Sequence, residues 1–170
     1  CMSQVSASVE VFPHIDATQQ ECITDEQAQF FRDNGLLVIR NVLQGEELKR
    51  LQDETQPIID RSAKEDPNDP WKPDFHYGTH ELTGKRVPTR CEYVIDKTPA
   101  CKALLAHPFI LRSVEKLQGR NFVPTWDSMV FKFPGQGKAI PWHRDAGTDF
   151  CDPKYPIFNV DFYLDGSDMT

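Results

Sequence analysis

The spacing of apolar residues predicts helices in the first part of the chain and strands in the later part. Residues 1–22 are polar and show no sustained period, so we expect an N-terminal arm there. Thr24-Asp25-Glu26-Gln27 matches a capping box that would begin a helix, and Gly35 is a typical stop signal. The β-branched run Leu36-Leu37-Val38-Ile39 then predicts a short strand.

A second helix is expected to begin near Glu46 and to lose its regularity at Pro57, because proline removes one helical hydrogen bond. One face of this helix contains Leu48, Leu51, Thr55 and Ile58. The following residues, 60–90, are rich in proline and glycine and have almost no apolar period. This composition predicts a long loop and a candidate lid, because loops of that length in a compact domain are usually functional or disordered.

The second half of the chain alternates between helix and strand signals before it becomes β-rich. Cys91–Ile95 reads as a strand, Thr98-Pro99 begins a helix, and His107-Pro108 begins another that ends at Gly119. The expected strands after Gly119 cover 126–133 and 157–164. In the second of them, one face would contain Phe158, Val160, Phe162 and Leu164, and the other Asn159, Asp161 and Tyr163. Helices followed by strands predict an α+β fold with a mostly β core.

Composition narrows the class of protein. The chain has 170 residues with 26 acidic and 19 basic side chains, giving a net charge of −7, which argues against nucleic acid as a partner. No apolar run approaches the roughly 18 residues of a membrane helix, and no secretory signal is visible. The 5 cysteines are widely spaced and form no C-x-x-C pair, so we expect free thiols and a cytoplasmic location.

Two His-x-Asp pairs are the main candidates for metal chemistry. On an extended chain, the two side chains of such a pair share one face, and an imidazole with a carboxylate can bind iron(II) in a facial triad. His14-Ile15-Asp16 lies in the polar arm, whereas His143-Arg144-Asp145 follows a Pro/Gly turn and lies between two β segments. The second pair is the better candidate, and a surface His–Asp contact is the alternative. His76 and His80 lie in the proline-rich loop, where a solvated loop is the favoured reading, and either of them beside His143 offers a zinc-binding alternative.

Three stretches of the chain resemble the phytanoyl-CoA dioxygenase family of iron(II)- and 2-oxoglutarate-dependent oxygenases. They are the opening phrase from Ile23 to Arg40, the stretch from Met129 to Gly135 that leads into Pro141-Trp142-His143-Arg144-Asp145-Ala146, and the strand that ends Phe162-Tyr163-Leu164-Asp165. The resemblance implies a double-stranded β-helix, the cupin-like jelly-roll, over residues 23–170, with the N-terminal helices packed outside it.

The resemblance also implies the roles of particular residues. His143 and Asp145 would bind Fe(II), and the substrate would be a small molecule oxidised with O2 and 2-oxoglutarate, giving succinate and CO2. Cosubstrate neighbours would be Met129, Lys132 and Asp161; substrate neighbours would be Arg90, Trp142 and Tyr163, although a surface salt bridge is the favoured alternative for Arg90. Because Asp145 is present, hydroxylation or desaturation is expected rather than the halogenation of relatives that lack this carboxylate.

The family's third iron ligand, a distal histidine, and the arginine that pairs with the cosubstrate have no counterpart after Arg144. The chain is therefore expected to supply two of three iron ligands and the N-terminal portion of the jelly-roll, with the C-terminal part of the barrel missing from it. Two alternatives remain beside an oxygenase: a truncated, non-catalytic relative that acts as a binding module, and a zinc-binding protein. The sequence does not determine the substrate or the oligomeric state.

Overall fold

The computed structural model describes residues 13–133 and 157–166 of the chain. The chain divides into two compact units, the first formed by Cys1–Gln44 and Ala106–Phe122, and the second by Gly45–Leu105 and Val123–Thr170. The helices are α1 (Asp25–Asn34), α2 (Gly45–Lys64), α3 (Pro99–Leu104) and α4 (Pro108–Gln118). The strands are β1 (Ile15–Asp16), β2 (Ile39–Arg40), β3 (Phe75–Thr79), β4 (Arg86–Glu92) and β5 (Ser128–Val130).

Helix α1 in the first unit begins and ends where its sequence signals predict. The backbone N–H of Gln27 donates to the Thr24 hydroxyl at 3.2 Å, and the Gln27 side chain accepts from the Thr24 N–H at 2.8 Å. Gly35 then adopts φ 81°, a left-handed conformation that glycine accepts without a steric cost. The capping box and the stop at Gly35 are therefore confirmed.

The rest of the first unit packs around a small apolar core. Buried Ile23 and Ala28 meet Phe109 of α4, which begins after His107 as expected. The predicted 1–22 arm differs from the structure over its last residues, because Ile15 is buried and pairs in parallel with Ile39 of β2. An isolated buried residue has no periodicity, so the sequence pattern did not reveal it. The predicted strand 36–39 is confined to Ile39 and Arg40.

Helix α2 in the second unit continues past Pro57 to Lys64, so the expected loss of regularity at Pro57 is wrong at the level of secondary structure. Pro57 is exposed, whereas Ile58 and Ser62, which follow it, are fully buried. Packing of that face supplies most of a helix's stability and outweighs the cost of the proline, about 3 kcal/mol. The predicted apolar face is otherwise confirmed, with Leu51 and Thr55 buried.

The segment 60–90 is not a continuous loop, and this expectation is corrected. It contains the end of α2, a 3₁₀ turn at Lys72–Asp74, the whole of β3 and most of β4. Strands β3 and β4 are antiparallel, with a register shift between His76 and Tyr77, and Pro88 pairs at that shift. A proline is tolerated at a bulge, where its missing N–H disrupts no regular ladder. Its presence concealed the strand from the sequence pattern.

The remaining strand predictions are partly displaced. The expected strand 91–95 corresponds to the end of β4, and a 3₁₀ turn at Val94–Asp96 follows because Tyr93 adopts a left-handed φ of 56°. The expected strand 126–133 is reduced to β5, which pairs antiparallel with β4. Residues 157–164 carry no strand assignment, although Phe158, Phe162 and Leu164 are half-buried.

The fold class is therefore a mixture of helices with a two-stranded and a three-stranded sheet. Within residues 13–133 and 157–166 the sheets form no closed barrel, and the jelly-roll stays a prediction. Cys22, Cys91 and Cys101 are free thiols, as expected, while Cys1 and Cys151 lie outside the described residues. Among the helices of the described ranges, none is long and apolar enough to cross a membrane.

Candidate functional site

The predicted iron ligands lie in a part of the chain that the structure does not describe. Trp142, His143 and Asp145 all fall between residues 133 and 157. In sequence, they follow β5 and Phe133 by about ten residues. Of the other predicted site residues, the structure describes Arg90, Met129, Lys132, Asp161 and Tyr163.

The other His-x-Asp pair has a structural role. The Asp16 carboxylate accepts from the backbone N–H of Thr18 at 2.9 Å and from its hydroxyl at 2.7 Å. Its second oxygen accepts from the Asn41 amide at 2.9 Å. The Thr18 hydrogen bonds hold the pKa of Asp16 below its ordinary value. One oxygen of Asp16 thus caps the 3₁₀ turn and the other joins it to Asn41, so both oxygens of this carboxylate have structural partners.

Strands β3 and β4 bring three charged or ionisable side chains to one side of the sheet, next to Val130 of β5. His76 on β3 pairs directly with Arg90 on β4, and Arg90 pairs with Val130 on β5. Because side chains alternate along a strand, Glu92 shares the face of Arg90. We call this side, defined by His76, Arg90, Glu92 and Val130, the charged sheet face.

The Glu92 carboxylate joins the charged residues of this face. Its Oε1 atom lies 2.8 Å from the Arg90 Nη2 and 3.0 Å from the His76 Nε2. The Glu92 side chain is 12% exposed, whereas the side chains of Arg90 and His76 are each 42% exposed. Glu92 therefore lies inward of both side chains, and the His76 Nε2 atom that faces it is itself buried.

Lys132 is brought to the same side as Arg90 by the continuation of the ladder beyond β5. The Phe131 N–H donates to the Thr89 carbonyl at 2.9 Å, so Phe131 faces Thr89 across the two strands. The next residue, Lys132, alternates to the charged sheet face, and its side chain is exposed. The predicted substrate neighbour Arg90 and the predicted cosubstrate neighbour Lys132 therefore share one face.

Met129, the other predicted cosubstrate neighbour, lies on the opposite side of the sheet. It pairs with Cys91, which in turn pairs with Phe75, and both of these residues are buried. Burial raises the pKa of the Cys91 thiol to about 11, so the thiol stays protonated near neutral pH. The structure thus separates Met129 from Arg90 and Lys132 by the thickness of the sheet.

A buried lysine fixes the end of β4. The Lys97 ammonium lies 2.7 Å from the Asp74 carboxylate, and it donates to the carbonyls of Glu92 at 2.7 Å and Tyr93 at 3.2 Å. The Lys97 side chain is 3% exposed. These contacts hold the backbone at Glu92 and thereby the base of the charged sheet face.

Asp161 and Tyr163 lie in the second described range, and both side chains are exposed. Near the end of this range, the Gln52 amide of α2 donates a hydrogen bond to the Leu164 carbonyl at 2.7 Å. Asp161 and Tyr163 therefore face outward from this part of the second unit. Their roles beside cosubstrate and substrate stay predictions.

The described part of the chain contains no cluster of metal-binding side chains for the zinc-binding alternative. Over residues 13–133 and 157–166, no group of three His, Cys, Asp or Glu side chains is placed to hold a metal ion. The His80 Nδ1 lies 2.8 Å from the Thr83 hydroxyl and accepts from the Thr83 N–H at 3.1 Å, which closes the turn between β3 and β4. That nitrogen of His80 is committed to the turn.

Sequence reasoning did not single out Glu92 and considered His76 only as a lid residue or a zinc ligand. The signal for Glu92 was its spacing of two from Arg90 on a strand, which places an acid and a base on one face. No local signal could pair His76 with Arg90, because the 14-residue separation depends on a hairpin with a bulge.

Two comparisons with known proteins bear on the site. The sequence model of the phytanoyl-CoA dioxygenase (PhyH) family matches residues 31–167, a range that includes Arg90, Lys132, His143 and Asp145. A 2-aminoethylphosphonate dioxygenase from uncultured bacterium HF130_AEPn_1 is 29% identical over 141 residues. The match covers 83% of this chain and 49% of that protein, so the chain spans about half the length of this curated relative.

Proposed function

Because the chain belongs to the phytanoyl-CoA dioxygenase family, we propose that it forms part of an iron(II)- and 2-oxoglutarate-dependent dioxygenase. The observation that carries the proposal is the family match over residues 31–167, which includes the His143-Arg144-Asp145 pair. The similarity to a protein described as a dioxygenase supports an oxygenase role in particular. The substrate would be a small molecule that is hydroxylated or desaturated, with succinate and CO2 as coproducts. The free cysteines favour a cytoplasmic setting.

The chemistry of the donor set fits iron(II). His143 offers an imidazole nitrogen and Asp145 a carboxylate oxygen, which are two members of a 2-His-1-carboxylate triad. When bound, the iron supplies activation of O2 at the expense of 2-oxoglutarate. The chain's own contribution is to hold the metal through His143 and Asp145 and to orient the two organic reactants beside it.

The charged sheet face is the proposed source of that orientation. Arg90 carries a guanidinium with five N–H donors, of which one faces Glu92, so it can also bind an anionic substrate group. Lys132 would attract the dianionic cosubstrate, with Met129 and Asp161 as further neighbours. Trp142 and Tyr163 are the proposed apolar contacts of the substrate.

The class of substrate follows from the relative, which is described as acting on 2-aminoethylphosphonate. We propose that this chain's protein likewise accepts a small molecule with an anionic group. A partner of this size agrees with a net charge of −7, which disfavours nucleic acid.

The test is succinate release from 2-oxoglutarate by the full-length protein with iron(II). His143→Ala and Asp145→Ala are each expected to lower turnover by about 100-fold or more. Each change removes a proposed iron ligand, which costs more than the loss of a residue that only hydrogen-bonds to a ligand. The matched controls are His14→Ala and Asp16→Ala, which alter the other His-x-Asp pair of the chain. The controls are expected to retain turnover, because Asp16 caps a 3₁₀ turn.

Three outcomes would contradict the proposal. Turnover that is unchanged in His143→Ala would remove the iron site. Zinc binding in preference to iron(II), with no binding of 2-oxoglutarate, would favour the zinc-binding alternative. Absence of succinate release with retained small-molecule binding would favour a non-catalytic binding module.

A further inference from the structure

Arg90 lies on the central strand of the three-stranded sheet, between His76 of β3 and Val130 of β5. Because the strand is paired on both sides, the backbone of Arg90 is fixed. The side chain is the part that can still vary, since arginine has one of the largest rotamer entropies of all residues. A contact that fixes the guanidinium therefore determines where its remaining donors point.

Glu92 supplies such a contact from the same strand. Its Oε1 atom lies 2.8 Å from the Arg90 Nη2. Residues two apart on a strand share a face, so the contact depends on no loop or turn. The Glu92 side chain is 12% exposed and that of Arg90 is 42% exposed, so the carboxylate lies at the base of the pair and the guanidinium toward solvent.

The Glu92 carboxylate is itself held and shielded. The backbone of Glu92 pairs with Ser128 of β5, and its carbonyl accepts from the Lys97 ammonium at 2.7 Å. On the β3 side, the His76 Nε2 atom is buried and lies 3.0 Å from the same carboxylate oxygen that Arg90 contacts. A buried neighbour indicates that water is excluded there, and a charge pair that is shielded from water is stronger than an exposed one.

We propose that Glu92 is a positioning residue that holds the Arg90 guanidinium in one direction before an anionic substrate group binds to it. Nη2 faces Glu92, and the guanidinium has further N–H donors for the anion. This inference rests on the proposed function, in which Arg90 contacts the substrate, and it adds the residue that prepares Arg90 for that contact. Ordering a side chain before its ligand arrives strengthens binding, because the entropy is not lost at the binding step.

An ion pair that only stabilised the sheet would behave differently. The effect of Glu92→Gln on substrate binding would then not depend on the residue at position 90. A residue that acts through Arg90 has no further effect on binding once Arg90 is absent, so the effects of the two substitutions are not additive. The double variant Arg90→Met/Glu92→Gln therefore separates positioning from a structural role.

The first measurement is the rate at which phenylglyoxal modifies Arg90 in the full-length protein, followed by peptide mass spectrometry without iron or substrate. Glu92→Gln keeps the size of the side chain and removes its charge, so the rate is expected to rise about threefold or more. Glu92→Asp keeps the charge and is expected to retain most of the protection. The internal reference is Arg86, which pairs with Glu65 on the same sheet and should be modified at an unchanged rate in both variants.

The second measurement is succinate release with iron(II), 2-oxoglutarate and 2-aminoethylphosphonate as the anionic probe. Glu92→Gln is expected to raise the KM for the probe about tenfold with a smaller change in kcat, and Arg90→Met to raise it at least as much. The double variant should lose no more than Arg90→Met alone. The matched control Glu65→Gln removes the other ion pair of β4 and should leave the KM unchanged. Circular dichroism spectra and urea midpoints establish that the variants fold.

The two measurements separate this inference from the proposed function. If the wild-type protein releases no succinate but Arg90 is modified faster in Glu92→Gln, the proposed function fails and the positioning of Arg90 by Glu92 stands. Equal modification rates of Arg90 in wild type and Glu92→Gln would overturn the positioning role, whatever the turnover. Additive losses in the double variant would also overturn it, because Glu92 would then act independently of Arg90.

Discussion

Helix α1 in the first unit and the end of strand β4 in the second are both held by polar contacts, but of opposite kinds. The contacts of α1 reach solvent: the capping box joins half-buried Thr24 and Gln27, three residues apart, and Lys116, which is distant in sequence, pairs with Asp25, whose side chain is 89% exposed. The end of β4 depends on Lys97, a buried cation with acceptors on three residues. The difference teaches that a short-range signal marks the start of α1, whereas the backbone at the end of β4 is held by a buried cation that a local pattern does not reveal.

The largest effect is expected for the buried contacts of Lys97 at the end of β4. Lys97→Met removes the ammonium and leaves the Asp74 carboxylate and two backbone carbonyls without their shared donor. We expect the free energy of unfolding, measured by urea denaturation, to fall by about 3–5 kcal/mol, the usual cost of breaking a buried pair.

The matched control for Lys97→Met is Lys49→Met, which removes an exposed ion pair to Asp53 four residues along α2. This change is expected to cost less than about 0.5 kcal/mol. Similar losses in the free energy of unfolding of Lys97→Met and Lys49→Met would refute the distinction between buried and exposed contacts.

A second prediction concerns the buried face of the same sheet and its pH dependence. Folding raises the pKa of Cys91 from 9.0 to about 11, so the folded state binds the thiol proton more tightly than the unfolded state. The corresponding stability is fully present below pH 9 and is lost as the pH rises toward about 11. Across that window we expect a slope of up to about 1.4 kcal/mol per pH unit from this group.

The measurement compares urea unfolding of wild type and Cys91→Ala across this alkaline window. The variant has no thiol at position 91, so its stability should fall less steeply with pH even though its absolute stability is lower. Parallel slopes for the two proteins would show that Cys91 does not titrate differently in the folded and unfolded states.

The smallest effect is expected for the capping box at the start of α1. Thr24→Ala removes the hydroxyl that accepts from the Gln27 N–H and should lower the free energy of unfolding by about 1 kcal/mol. Thr24→Ser keeps the hydroxyl and is expected to retain nearly all of the stability. A loss in Thr24→Ser as large as in Thr24→Ala would attribute the effect to the threonine methyl group and not to the cap.

The same contrast explains how much of the fold was predictable. The start of α1, its stop at Gly35 and the His107-Pro108 start of α4 are confirmed, because each depends on residues within one turn. Strands β3 and β4 were interpreted as a loop, since their pairing depends on partners 7 to 16 residues apart and on a bulge that admits Pro88. A proline in a paired strand has no local signature that separates it from a proline in a loop.

The residues of the candidate site also differ in how far the sequence alone could predict them. The His143-Arg144-Asp145 pair is visible in the sequence because its two members are neighbours, and its role as an iron site stays a prediction. The association of His76 with Arg90 and Glu92 could be found only from the register of β3 and β4. Met129 and Lys132 are three residues apart, yet the pleat places them on opposite sides of the sheet.

Pro57 has a consequence for how α2 opens. A proline has no N–H to donate, so the carbonyl of Asp53, four residues earlier, receives no helical hydrogen bond at that step. The amide ladder of the helix is interrupted at that step, and the amides before and after it are expected to exchange with deuterium in two groups with different protection. The turns that contain Ile58 and Ser62, both fully buried, should be the slower group. One helix in the structure would therefore behave as two cooperative segments in hydrogen exchange.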